Sequence, residues 1–171
     1  MPELVPLISQ QEIKEKIQEI GQKISTDYND LDLVVIGVLK GAFVFMADLV
    51  RQITIDHEID LVGASSYEGT SSTGQIVFTK KPDLELKGRD LLLVEDIVDT
   101  GRTLVKIVES MKSLNPRSIK ICALIDKSER RETQVNVAYS CFSLDKGFIV
   151  GYGLDYNEKY RNLPAIFDLK L

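Results

Sequence analysis

Continuous apolar runs alternating with helical stripes predict an α/β fold, a mostly parallel twisted sheet with helices packed on both faces. Three observations carry that expectation. Residues 31–39 (LDLVVIGVL), 90–96 (DLLLVED) and 118–125 are short and nearly uninterrupted in their apolar character, as strands covered on both faces are. Between and after them, Ala42, Phe45, Met46 and Leu49, then Leu104, Ile107, Val108, Met111 and Leu114, recur at helical spacing. The chain has 171 residues, 44% hydrophobic and 27% charged, enough to bury a core of its own, so residues 1–171 are expected to form a single domain.

The elements follow in order. Ser9 and Glu12 form an S-x-x-E start signal, and Ile13, Ile17, Ile20 and Ile24 make the opening helix amphipathic. The strand at 31–39 leads into the helix that carries Ala42 to Leu49, and residues 55–67 read as the next strand. The small polar segment 68–75 (EGTSSTGQ) is a loop by composition, and a strand at 76–80 completes a hairpin. The strand at 90–96 precedes a helix that begins near Arg102 and stops before Asn115-Pro116. Further strands are expected at 118–125, 135–141 and 147–152. Strand–helix–strand alternation of this kind argues a parallel sheet.

Bulk properties exclude several classes. A net charge of −5 argues against a phosphate-driven nucleic-acid binder. Cys122 and Cys141 are the only cysteines, read as buried free thiols in a reducing compartment. The start MPELVPLIS lacks the basic and apolar regions of a signal peptide. The window 33–50 is as long as a membrane span, but Lys40 and Gly41 interrupt its centre and Asp48 and Arg51 close it. No membrane partner and a cytoplasmic location are expected. His57 carries no functional signal and is expected at the surface.

In parallel sheets, ligands bind outside the carboxyl ends of the strands. The polar residues that stand out here follow Leu39, Val94, Ile125 and Gly153, so distant points of the chain should converge on one edge. In the turn Asp99-Thr100-Gly101-Arg102-Thr103, a helix N-terminus, a permissive glycine and two hydroxyls suit a phosphate monoester. An ordinary strand-to-helix turn, capped by Thr100 or Asp99, fits the pentapeptide equally well. Glu95 and Asp96 are adjacent acceptors. They either face solvent or grip the two neighbouring hydroxyls of a ribose whose 5′-phosphate rests on the turn. A phospho-acceptor receiver domain also clusters acids at strand ends, but it places a pair after the first strand, whereas this cluster lies past the middle of the chain.

Residues 94–103 (VEDIVDTGRT) resemble the phosphoribosyl-pyrophosphate (PRPP) motif of type I phosphoribosyltransferases. VLKGAFVFMADL (38–49), SSYEGTSSTG (65–74), LIDKSERRE (124–132) and KGFIVGYGLDYNEKYRNLP (146–164) resemble the hypoxanthine-guanine branch of that family. The resemblance runs from the first helix almost to the C-terminus. It implies the type I phosphoribosyltransferase fold, with a small hood from the N- and C-terminal segments and a mobile lid loop.

The resemblance also implies a set of roles. Glu95 and Asp96 would hold the ribose hydroxyls directly or through Mg²⁺, and Asp99, Thr100, Gly101, Arg102 and Thr103 would form the 5′-phosphate loop, with Asp99 catalytic. Leu39, Lys40 and Gly41 would form the pyrophosphate loop, with a non-proline cis peptide between the first two. Ser66 and Tyr67 would open the lid, and Arg161 would meet pyrophosphate. Lys127 would reach the purine 6-oxo group, Phe148 would stack on the ring, Ile149 would offer backbone groups to its edge, and Asp155 would help hold a second Mg²⁺. Gly147 departs from the family pattern as an insertion before Phe148. The implied activity is purine salvage, giving IMP or GMP and pyrophosphate from PRPP and a 6-oxopurine, in a homodimer or homotetramer. A xanthine-preferring sibling and an RNA-binding regulator on the same fold are the alternatives.

Overall fold

The computed structural model describes residues 2–66 and 76–171. The expectations for Tyr67 and for the 68–75 lid lie outside the described residues. The elements are β1 (Glu3–Ile8), α1 (Gln10–Asp27), β2 (Leu33–Leu39), α2 (Phe43–Val50), β3 (His57–Ser66), β4 (Ile76–Lys80), β5 (Asp90–Val98), α3 (Arg102–Lys112), β6 (Ser118–Lys127), β7 (Tyr139–Leu144), β8 (Ile149–Val150) and β9 (Ile166–Lys170).

Six strands form a sheet in the order β4-β3-β2-β5-β6-β7, with β4 antiparallel to β3 and every other neighbour parallel. Side-chain alternation sorts each central strand onto two faces. Val35, Leu92, Val94, Cys122 and Leu124 pack with the isoleucines of α1 and with Phe45, Met46 and Leu49 of α2. Val34, Ile36, Leu91, Leu93, Ile121 and Ala123 pack with Leu104, Ile107 and Met111 of α3. The uninterrupted apolar runs are therefore what a strand between two helical layers requires. Both cysteines are free and buried in the first of these clusters. Ser9 caps α1 through a reciprocal pair of bonds, its hydroxyl accepting from Glu12 N and Glu12 Oε2 accepting from Ser9 N. Among the described residues no helix is long and apolar enough to cross a membrane.

The sheet corrects the sequence reading in three places. β5 and β6 each run two residues beyond their expected ends, so Val98 and Lys127 are still strand residues. Strand pairing at β7 begins at Tyr139, where residues 135–141 were expected; Val135 and Val137 pack against the α3 side while still irregular, and Ala138 N bonds to Ile121 O just before the ladder starts. The run at 147–152 does not join the parallel sheet. Only Ile149 and Val150 are strand, antiparallel to β9, in a separate sheet of order β1-β9-β8 built by the two ends of the chain. Positive φ at Gly147, Gly151 and Tyr152 bounds that strand.

The N-terminal edge of the parallel sheet is held by ions. Asp90 is 3% exposed and accepts from Arg117 Nε at 3.1 Å, from Arg117 Nη2 and from Ser118 Oγ at 2.6 Å. Burial alone would raise its pKa, but the bonds from Arg117 and Ser118 outweigh it and hold the carboxyl below its ordinary value. Arg89 similarly bridges Asp32 and Glu58. His57, partly exposed, opens β3 at this same edge, with Nδ1 2.8 Å from Ile55 O. A folded-state pKa below the unfolded one contributes stability that is present above about pH 4 and lost as the pH falls through the folded value. Asp90→Asn should therefore cost about 1–3 kcal/mol at neutral pH. In urea melts, its difference from the parent chain should shrink as the pH is lowered below about 4.

Candidate active site

Strand order reverses between β2 and β5, since the chain leaves β2 toward β3 on one side and β5 toward β6 on the other. Beyond such a reversal the connections diverge and leave a crevice. The Leu39-Lys40 peptide, which is cis, and the Glu95-Asp96 pair flank it. Gly41 and Asp96 meet there so closely that a Cβ on Gly41 would lie 1.9 Å from Asp96 Oδ2. From the hood, Gly153 comes down on the same loop, its own Cβ position 2.3 Å from Gly41 O.

Glu95 and Asp96 are partly buried and bond mainly to adjacent backbone: Asp96 N donates to Glu95 Oε1 at 3.2 Å, and Ile97 N to Asp96 Oδ1 at 2.8 Å. Burial pushes Glu95 well above the ordinary carboxylate range, and the neighbouring Asp96 pushes it further. Burial raises Asp96 too, partly offset by hydrogen bonds and by the field of Arg161. The Arg161 side chain is 18% exposed, with Nη1 on Gly153 O at 2.7 Å and Nη2 on Asp155 Oδ1 at 3.1 Å. Glu158 reaches Arg161 at 3.4 Å and Lys40 Nζ at 2.9 Å. Lys40, Gly41, Asp96, Gly153, Asp155 and Arg161 are thus one neighbourhood.

The turn after β5 lines a small cavity of about 140 Å³ with Glu95, Asp99, Thr100, Gly101 and Thr103. Gly101 occupies the N-cap position of α3 with φ +81°, and no side chain among the described residues caps the helix. Neither Thr100 nor Asp99 is the N-cap, so among the described residues no side chain takes up the amides that open α3 as a cap would; Thr100 Oγ1 accepts from Arg102 N at 3.4 Å. A Cβ at Gly101 would meet Thr133 O at 2.8 Å and Val135 Cγ2 at 2.9 Å, which together with its φ explains why glycine stands here. The Arg102 side chain turns away to pair with Glu132. Asp99 Oδ1 is buried with no hydrogen-bond partner among the described residues, while Oδ2 faces Arg130 at 3.5 Å.

Lys127, at the end of β6, is 8% exposed and donates through Nζ to Gly147 O at 3.0 Å. Phe148 is 47% exposed and meets Tyr156 edge-on at 5.4 Å between ring centroids. Without the family resemblance, Lys127 in its charged run reads as a surface lysine and Phe148 as a core aromatic, and the structure places them the other way round. Gly147, expected as an insertion, has a definite place: its carbonyl receives Lys127, and the next amide, Phe148 N, donates to Asp168 Oδ1 at 3.1 Å. Ile149 is buried in β8. Ser66 ends β3.

Among the described residues no three His, Cys, Asp or Glu side chains gather as a protein-only metal cage. Glu95 and Asp96 nonetheless fit Mg²⁺, which takes one or two carboxylates and leaves its other positions to water and phosphate. Two adjacent carboxylates raised by burial, Glu95 further by the charge of Asp96, are what a divalent cation would relieve. Asp155, expected to join a second ion, has both oxygens engaged, by Arg161 and by Glu158 N at 2.9 Å. Sequence reasoning passed over Glu158, Arg131 and Asp168. Glu158 and Lys40 lie 118 positions apart and no local pattern links them; Arg131 stood in plain view inside the mixed charges of 127–132.

The phosphoribosyl transferase domain family matches residues 7–157. The hypoxanthine phosphoribosyltransferase of Escherichia coli K12 is 45% identical over 163 residues, 94% of this chain and 92% of that protein. The hypoxanthine-guanine phosphoribosyltransferase of Bacillus subtilis is 44% identical over 165 residues, 96% of this chain and 92% of that protein. A crystal structure of a hypoxanthine-guanine phosphoribosyltransferase from Bacillus anthracis superposes with a TM-score of 0.93 at 41% identity, covering 100% of both chains. With its acid pair at the strand reversal, its uncapped helix start and this likeness over nearly its whole length, the chain belongs to the phosphoribosyl transferase domain family, among the hypoxanthine-guanine phosphoribosyltransferases.

Proposed function

We propose that this chain transfers the 5-phosphoribosyl group of PRPP to N9 of hypoxanthine or guanine, yielding IMP or GMP and pyrophosphate in cytoplasmic purine salvage. The observation that carries the reading is the placement of the Glu95-Asp96 pair between the uncapped 99–103 turn and the 39–41 loop. A ribose 5-phosphate has hydroxyls for the first and a phosphate for the second, and its anomeric carbon then faces the third.

In this reading the 99–103 turn binds the 5′-phosphate through backbone donors and the hydroxyls of Thr100 and Thr103, with Arg102 serving through its amide. Leu39, Lys40, Gly41 and Arg161 receive pyrophosphate, together with Ser66 and Tyr67 at the lid. Glu95 and Asp96 would hold Mg²⁺, with Asp155 near a second ion; a bound cation would supply positive charge to offset that of pyrophosphate.

As that bond breaks, the ribose acquires oxocarbenium character and the pair of electrons leaves with pyrophosphate. The N9 lone pair forms the new C1′–N bond, and the purine gives up a proton. Asp99, with a buried oxygen that lacks a partner among the described residues, accepts or holds that proton at N7. Lys127 spends one of its three N–H donors on Gly147 O, leaving two for the purine O6 as negative charge gathers there. Phe148 offers a half-exposed ring for stacking, and Ile149 offers its backbone to the purine edge. Exposed Phe43 and Ile59 supply apolar surface for a homodimer or homotetramer, and light scattering that found only monomer would remove that part.

A steady-state assay with PRPP against adenine, guanine, hypoxanthine, xanthine and uracil tests the reading. Turnover of hypoxanthine or guanine that disappears in excess chelator is expected. Preference for xanthine would move the chain to the sibling activity, and salt-dependent RNA binding without turnover to the regulator. In the same assay Asp99→Asn should lower kcat by about two orders of magnitude or more while PRPP still binds. Lys127→Ala should chiefly raise the KM for the purine, and an unchanged KM would exclude Lys127 from base recognition.

A further inference from the structure

Ladder pairing between β5 and β6 ends at Val98 opposite Asp126, so among the described residues no strand neighbour holds the turn that follows. Residues 130–133 do that work instead. The Arg131 side chain is 20% exposed, and its Nε donates to Asp99 O at 2.9 Å while Nη2 donates to Val98 O at 3.2 Å. The same Nη2 pairs with Asp126 and lies 3.4 Å from Lys127 O. On the far side of the turn, Glu132 N and Thr133 N both donate to Thr100 O, at 3.0 and 3.1 Å. Thr133 O then closes on Gly101. Three successive carbonyls, those of Val98, Asp99 and Thr100, are thus held by one segment.

We infer that Arg131 is a positioning residue for the 5′-phosphate seat: its guanidinium carries the link between β5 and β6 past the last ladder pair and keeps the 99–103 turn in its anion-receiving shape. This rests on the function proposed above and extends it to a residue that does not itself touch the ligand. Arginine suits the task because its planar fork presents donors in fixed directions to several carbonyls at once, which a lysine ammonium on a flexible stem does not. Asp126 offsets the charge, so Arg131 acts through the shape of the turn more than through its field on the phosphate.

The test compares GMP with guanosine, which differ only in the 5′-phosphate. Calorimetry on the full chain should show GMP binding weakened about tenfold or more in Arg131→Ala, as loss of a charged hydrogen-bond clamp implies, while guanosine affinity stays within about twofold. Arg131→Lys should fall between the two, and methylguanidinium added to Arg131→Ala should restore part of the GMP affinity. GMP affinity unchanged in Arg131→Ala overturns the inference, as does an equal loss for GMP and guanosine. If the alanine chain does not fold, Arg131→Lys carries the comparison, and parental GMP affinity there overturns it equally. A parental chain that does not distinguish GMP from guanosine refutes the phosphate seat itself, and with it the function on which this inference rests.

Discussion

The site depends on the reversal of strand order between β2 and β5. Because one connection leaves toward β3 and the next toward β6, the carboxyl ends of these two neighbours are left without a helix between them. Everything that follows uses that gap. The Gly41 backbone approaches Asp96 there, and the hood lowers Gly153 onto the same loop. The flat apolar layers on either side keep the strands in register, so residues from positions 39, 95, 127 and 153 arrive at one edge without any contact between them along the chain.

The apparent contradiction of acids placed beside the proposed anion seat has an electrostatic solution in this geometry. Glu95 and Asp96 lie at the end of β5, where burial raises their pKa values, and the anion seat lies a turn further on, at the positive end of α3. Arg102 is spent on Glu132. On the proposed reading the seat would rely on amides and hydroxyls, whose dipoles favour an anion.

Much of this was legible beforehand, for physical reasons that can be named. β2, β5 and β6 announced themselves because a strand between two helical layers must be apolar at every position, and α1 and α3 because a helix against a sheet must be apolar on one stripe. The 95–103 stretch is local in sequence, so its chemistry could be read directly. What escaped is non-local or short. β8 has two residues and its partner β9 comes from the chain's last turn, so the 147–152 run looked like one more buried strand. Val135 and Val137 carry strand-like alternation, but the peptides just before them are committed to Thr100 O, and pairing waits until Tyr139. Lys127 and Phe148 exchanged their expected environments because Gly147 O and Asp168 draw one in and hold the other out.

The two thiols close the account of the core. Cys122 and Cys141 sit on adjacent strands β6 and β7, fully covered, and burial pushes Cys141 up to about 12 and Cys122 well above the ordinary range. Thiolate, the form that alkylating reagents attack, is thus scarce twice over, by access and by protonation. Any modification must wait for the β6–β7 side of the sheet to open. The chain carries a native pair of reporters for that excursion, whose labelling kinetics would clock how often the far wall of the fold comes apart.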